Sequence, residues 1–125
     1  PGSKFILLLR DADAWIQSQV KHFGQRETPM RRWIYGDEHG CPAGNEAVYL
    51  RCYQTHNQSV LTYFSQRPDD LLVLNLAEGE GWQALCAFLD EPVPAAPFPH
   101  ANTASKRKKR NLLASLKRAL TLRSV

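Results

Sequence analysis

The sequence predicts an α/β domain built on a parallel sheet, and three observations lead there. Two apolar runs, KFILLL at 4–9 and LLVLNL at 71–76, suit strands buried on both faces. The segments between and after them carry helical spacing, with apolar residues recurring every three or four positions. Two buried strands joined by a helical crossover are expected to pair in parallel, with a right-handed connection.

The first strand covers about 4–9 and is closed by Arg10. Asp11 to Ser18, DADAWIQS, opens a helix that runs to about Phe23 and stops at Gly24. Asp11 suits the N-cap, because its carboxylate accepts from amides of the first turn. Trp15, Ile16, Gln19, Val20 and Phe23 form the expected core face. Arg10 is thereby expected at the C-terminal tip of a central strand, beside a helix N-terminus. Open α/β sheets bind their ligands at that rim. A guanidinium next to helix amides suits an anion, a phosphate above all. Ser18 follows Arg10 by eight positions. It lies about two turns into the helix and can offer a hydroxyl to the same anion. On spacing alone, a strand-end ion pair and an ordinary exposed helical serine is the plainer reading of this pair.

Residues 25–45 read as a loop-rich connection with three Gly, two Pro and a basic-aromatic centre at Arg31, Arg32, Trp33, Ile34 and Tyr35. So long a loop suits an acceptor-binding wall or lid, and equally a packed surface excursion anchored by Trp33 and Tyr35. Asn45 suits the cap of a long helix over about 46–66. Its expected buried stripe is Tyr49, Cys52, Tyr53, His56, Val60, Tyr63 and Phe64. A buried His56 can act as a general base with Asn57 orienting it. More often such a histidine is a satisfied core residue, and His56 is read here as buried and structural.

Pro68 ends that helix, and the second strand follows. A short helix is expected over about 81–89, with Trp82, Leu85, Cys86 and Leu89 on one face. Glu78 and Glu80 near its start favour the helix dipole and are read as that, although the strand tip also suits an acid/base pair. DEPVPAAPFPH at 90–100 is expected to be extended. From Ser105 the pattern is a basic amphipathic helix or tail, with Leu112, Leu113, Leu116 and Leu120 as its apolar stripe. Such a helix can meet an anionic surface or dock its leucines on the domain, and docking is the reading preferred.

Composition narrows the classes. An apolar fraction of 43% permits a core, and no apolar run approaches the length of a membrane-spanning helix. No charged start precedes an apolar stretch, so no signal peptide is expected. The net charge of +4 hides an asymmetry, since 101–125 holds eight bases and no acid. Three cysteines without a CxxC pair read as reduced thiols in a cytoplasmic protein. No His/Cys cluster has metal-ligand spacing, so no metal is expected.

One further signal bears on Arg10 and Ser18. An Arg, then a Ser eight positions on, directly after a buried strand, resembles the 3′-phosphate-binding motif of sulfotransferases. RDADAW, TPMRRWIYG, GNE, YQTHN, YFSQRPDDLLVL, EGEGWQALCAFL and PFPH together resemble one bacterial sulfotransferase-like family, over about 4–100. The resemblance implies a three-layer, parallel-sheet, P-loop-type fold. It implies sulfuryl transfer from PAPS, 3′-phosphoadenosine 5′-phosphosulfate, to a hydroxyl or amine acceptor. Arg10 and Ser18 would bind the nucleotide of the PAPS/PAP pair, and no catalytic base is identified. The family's Gly/Thr/Lys phosphate loop does not occur in this sequence. The chain is therefore read as a C-terminal portion lacking the first strand and that loop, inactive alone. Residues 1–100 would be the partial α/β domain, 101–125 the tail, and His100 and Asn102 can approach the site. Two other classes stay open: a P-loop kinase-like phosphotransferase, and a non-catalytic polyanion- or membrane-binding module acting through the tail.

Overall fold

The computed structural model describes residues 2–79 and 81–99. Glu80, His100, Asn102 and the basic helix expected from Ser105 lie outside them. All elements named below belong to the unit formed by residues 1–93.

Strand β1 (Phe5–Leu8) pairs with β2 (Leu71–Leu74) in a two-stranded parallel sheet, in register from Phe5 opposite Leu71 to Leu8 opposite Leu74. The Leu9 amide adds a further bond to the Leu74 carbonyl at 3.0 Å. The expected parallel pairing is therefore present. Burial on both faces is not: Leu7 and Leu74 are buried, but Phe5, Ile6 and Leu8 are exposed, Leu8 to 57%. In a two-stranded sheet each strand is an edge with one neighbour, so the continuous apolar run outreaches the cover it receives.

Helix α1 (Ala12–Phe23) begins where its sequence says it should. The Asp11 carboxylate accepts from the Ala14 amide at 2.8 Å, and Gly24, at φ +53°, ends the helix by donating to the Val20 carbonyl. Ile16 is its buried residue. The region expected to be loop contains a helix, α2 (Pro29–Tyr35), followed by a 3-10 turn over Asp37–His39. Thr28 caps α2 by accepting from the Arg31 amide at 3.2 Å, Pro29 opens it, and Gly36 stops it at φ +102°. The Gly and Pro that suggested a loop are this helix's punctuation.

Helix α3 (Glu46–Tyr63) follows. Asn45 precedes it, but its side chain turns back into the loop instead of capping. Its Nδ2 donates to the Cys41 carbonyl at 3.0 Å, and its Oδ1 meets His39 Nδ1 at 2.8 Å. A 3-10 turn at Pro68–Asp70 leads into β2, and another at Leu76–Glu78 leads towards α4 (Trp82–Leu89). The described residues beyond Asp90 carry no helix or strand, as their proline content predicts.

Among the described residues the buried hydrophobic core is small: Leu7, Ile16, Tyr49, Phe64, Leu74 and Cys86. The Phe5 and Phe64 rings meet at 4.9 Å, joining β1 to the end of α3, while α4 packs on β2. Each buried Leu or Phe is worth about 1.5–3 kcal/mol over its exposed state, so few residues carry the domain. At the other end of β1, Lys4 donates to the Asp90 carboxylate at 2.9 Å and to the Phe88 carbonyl. That ammonium holds the exposed Asp90 carboxyl below the usual carboxylate range.

Candidate functional site

The carboxyl rim of the sheet is a short stretch where one regular element hands over to the next. Backbone pairing ends at Leu9, and the helix cap begins at Asp11. Arg10 falls between them, at the strand tip where it was expected. Its backbone is held by a side chain from α3. The Tyr53 hydroxyl accepts from the Arg10 amide and donates to the Arg10 carbonyl, each at 2.9 Å. Tyr53 in turn lies flat on Trp15 of α1, with centroids 4.4 Å apart and planes 16° apart. Strand tip, α1 and α3 meet at this one phenol.

Arg10 is exposed, and among the described residues no carboxylate pairs with its guanidinium. The strand-end ion pair of the plainer reading is thus not formed among them. The helix terminus contributes less than expected. Asp11 already occupies the Ala14 amide, and Asp13 adds a second carboxylate in the first turn. These acids offset the N-terminal dipole, so the cation available to an anion at this rim is Arg10 itself. Ser18 lies within α1, half-buried.

His56 is not where the α3 stripe put it. It is exposed, as is Tyr63, whereas Tyr49 and Phe64 are buried and Cys52, Tyr53, Asn57 and Val60 are half-buried. The stripe is covered near Tyr49 and Tyr53 by Tyr35 and Trp15, and near Phe64 by Phe5. His56 falls between those contacts, which accounts for its exposure. The structural role expected of a buried His56 therefore has no basis. Of the two proposed loop anchors, Tyr35 stacks on Tyr49, but Trp33 is 84% exposed, beside exposed Met30 and Ile34.

Burial raises the Tyr35 phenol above its ordinary pKa and pushes that of Tyr49 up to about 12. The Tyr49 hydroxyl donates to the His39 carbonyl at 3.1 Å, so both rings stay neutral packing residues near pH 7. A concavity runs along Gln54, Thr55, Gln58, Ser59, Thr62 and Tyr63 on the outer side of α3, and includes neither Arg10 nor Ser18. Among the described residues no group of three His, Cys, Asp or Glu could hold a metal ion, and no helix is long and apolar enough to cross a membrane.

The strand-tip position of Arg10 was legible in the sequence, but the tie from Tyr53 was missed, since Tyr53 was counted only as part of a buried stripe. A signal was available: a tyrosine on a buried helix face needs a partner for its hydroxyl, and the preceding strand tip has unpaired backbone groups.

The parallel strand pair with its flanking helices places the domain in the α/β class, with Arg10 at the carboxyl rim of the sheet. Comparison with known proteins makes that class specific. A family model described as a sulfotransferase domain matches residues 29–107, more than half of the chain, and the chain belongs to this sulfotransferase family. The match covers α2, α3, β2 and α4, and it begins after Arg10 and Ser18. A search of curated proteins finds no match.

Proposed function

We propose that this chain carries the 3′-phosphate side of a PAPS-dependent sulfotransferase site. The observation that supports the reading best is the setting of Arg10. Its main chain is pinned at the carboxyl rim of a parallel strand pair, and its exposed guanidinium is without a carboxylate among the described residues. A planar, permanently charged fork suits the paired oxygens of a terminal phosphate. Ser18, on the helix that begins directly after Arg10, adds a hydroxyl donor to the same group.

In this reading the chain's own residues position the donor nucleotide. Sulfuryl transfer forms a bond from the acceptor oxygen or nitrogen to sulfur and breaks the bond from sulfur to the bridging phosphate oxygen. The acceptor gives up its proton, and adenosine 3′,5′-bisphosphate leaves with the bonding electrons. Arg10 and Ser18 act on the far end of that nucleotide, so their contribution is binding and alignment. No glycine-rich phosphate loop occurs in these 125 residues. The reacting end of the donor therefore requires groups beyond those named here, in a fuller three-layer P-loop arrangement. Three free thiols fit a reducing, cytoplasmic setting.

The test is calorimetry on the full chain with adenosine 3′,5′-bisphosphate and adenosine 5′-monophosphate. The bisphosphate should bind more tightly, and Arg10→Ala should remove that preference. A charge-assisted contact is worth about 1.5–3 kcal/mol, or roughly 10- to 100-fold in affinity. An equal preference in wild type and Arg10→Ala would overturn the reading. So would binding to any polyanion that ignores Arg10 and disappears with residues 101–125.

A further inference from the structure

The geometry points to Tyr53 as the positioning residue for Arg10: we propose that its hydroxyl sets the direction in which the guanidinium leaves the rim, and so the preference for a 3′-phosphate. This rests on Arg10 being the phosphate ligand. Tyr53 lies within the matched residues 29–107, but the match assigns it no role, and the Arg/Ser spacing does not involve it.

A side chain's direction is set by its own residue's φ and ψ. At Arg10 neither neighbouring element determines them, because sheet pairing stops at Leu9 and helix bonding starts at Asp11. One hydroxyl closes that gap, bonding both the amide and the carbonyl of the same residue at 2.9 Å. A phenol that accepts on one side of a Cα and donates on the other holds both flanking peptide planes at once. The phenol is itself held. Its ring stacks on Trp15 with centroids 4.4 Å apart and planes nearly parallel, and its backbone sits within α3. Both aromatic rings have only two side-chain torsions, so the stack fixes the hydroxyl with little freedom left. The result is a rigid path from α1 and α3 to Arg10, between strand and helix.

Removing the hydroxyl leaves the ring and its stack in place. Arg10 would then keep its charge and lose its fixed exit direction. An exposed guanidinium free to sample many directions still attracts anions but discriminates poorly between phosphate positions, because alignment and not charge carries the selectivity.

The experiment compares wild type, Tyr53→Phe and Arg10→Ala by calorimetry with adenosine 3′,5′-bisphosphate and adenosine 5′-monophosphate. Hydrogen exchange at the Arg10 amide is followed by NMR on the same samples. Tyr53→Phe should lower the bisphosphate-to-monophosphate affinity ratio by roughly tenfold, the equivalent of about 1.4 kcal/mol. It should leave the monophosphate affinity unchanged and accelerate exchange at Arg10 without a general loss of protection. A ratio unchanged in Tyr53→Phe but lost in Arg10→Ala overturns the role of Tyr53 and leaves Arg10 as the ligand. A ratio that is absent in wild type, or survives Arg10→Ala, overturns the phosphate site and this inference with it. If Tyr53→Phe unfolds, Trp15→Phe loosens the same stack with the hydroxyl retained and should lower the ratio in the same direction. An unchanged ratio in that variant counts against the proposal.

Discussion

The rings of Tyr35 and Tyr49 are stacked 3.5 Å apart at their centroids and within 15° of parallel, joining α2 to α3. Tyr49 is completely buried, and its hydroxyl donates to the His39 carbonyl at 3.1 Å. The Tyr49 phenol therefore helps hold the segment between the two helices, alongside the Asn45 side chain. Its burial raises the Tyr49 pKa to about 12, above the ordinary value of 10.0. A folded-state pKa above the unfolded one means that the stabilising effect is complete below about pH 10 and is lost as pH rises through about 12. Thermal unfolding should show a steep fall in Tm across that window. Tyr49→Phe should flatten the fall, and at neutral pH should cost about 1 kcal/mol for the lost bond to His39. An identical alkaline fall in the variant would assign the effect to other groups.

Gly40 should be intolerant of a methyl group for steric reasons. Its φ of −65° suits any residue, so backbone strain is not the issue. An added Cβ would meet Arg32 Cγ at 2.8 Å and Glu27 Cβ at 3.3 Å, beneath the Arg32–Glu27 ion pair. Gly40→Ala should destabilise by about 1–3 kcal/mol in urea unfolding, the usual cost of overpacking. A neutral result would show that the Arg32 stem moves aside freely.

Adjacent leucines in β1 should behave very differently. Leu7 is 7% exposed and Leu8 57% exposed. Leu7→Ala is expected to cost about 2–4 kcal/mol, as buried leucine truncations do. Leu8→Ala should fall within about 0.5 kcal/mol of wild type. Equal losses in equilibrium unfolding would mean that the outer side of β1 is covered in solution.

His56→Gln should change stability by no more than about 0.5 kcal/mol, because the side chain is exposed. A loss of several kcal/mol by the same measurement would contradict its exposure.

Most of the framework was legible in the sequence because its boundaries carry local chemistry. Asp11 and Gly24 bracket α1, Pro68 closes the approach to β2, and the apolar runs mark both strands. Helix α2 was obscured by its own caps, since Thr28, Pro29 and Gly36 look like loop residues until they are seen to flank a single helix. Helical periodicity put His56 on the buried stripe of α3, where it is exposed, because periodicity carries no information on cover. What lies opposite each turn comes from other segments, and nothing near His56 in sequence encodes it. The same limit hid Tyr53: its role depends on meeting Arg10, a contact between distant residues that no local pattern records.

The parallel pairing of β1 with β2 also sets an order of assembly. During synthesis β1 emerges well before its partner, which arrives only with residues 71–74, after α1, α2 and α3 have been made. Contacts so far apart in sequence close late, because the intervening loop entropy must be overcome before the ladder forms. Helices α1 and α3 can pack earlier and bring Trp15 and Tyr53 together, while Leu9 must wait for Leu74. The rim that presents Arg10 is thus among the last parts of the domain to mature. Until then the four apolar residues of β1 lack their ladder partner β2, and an unpaired strand edge of this kind can recruit another chain.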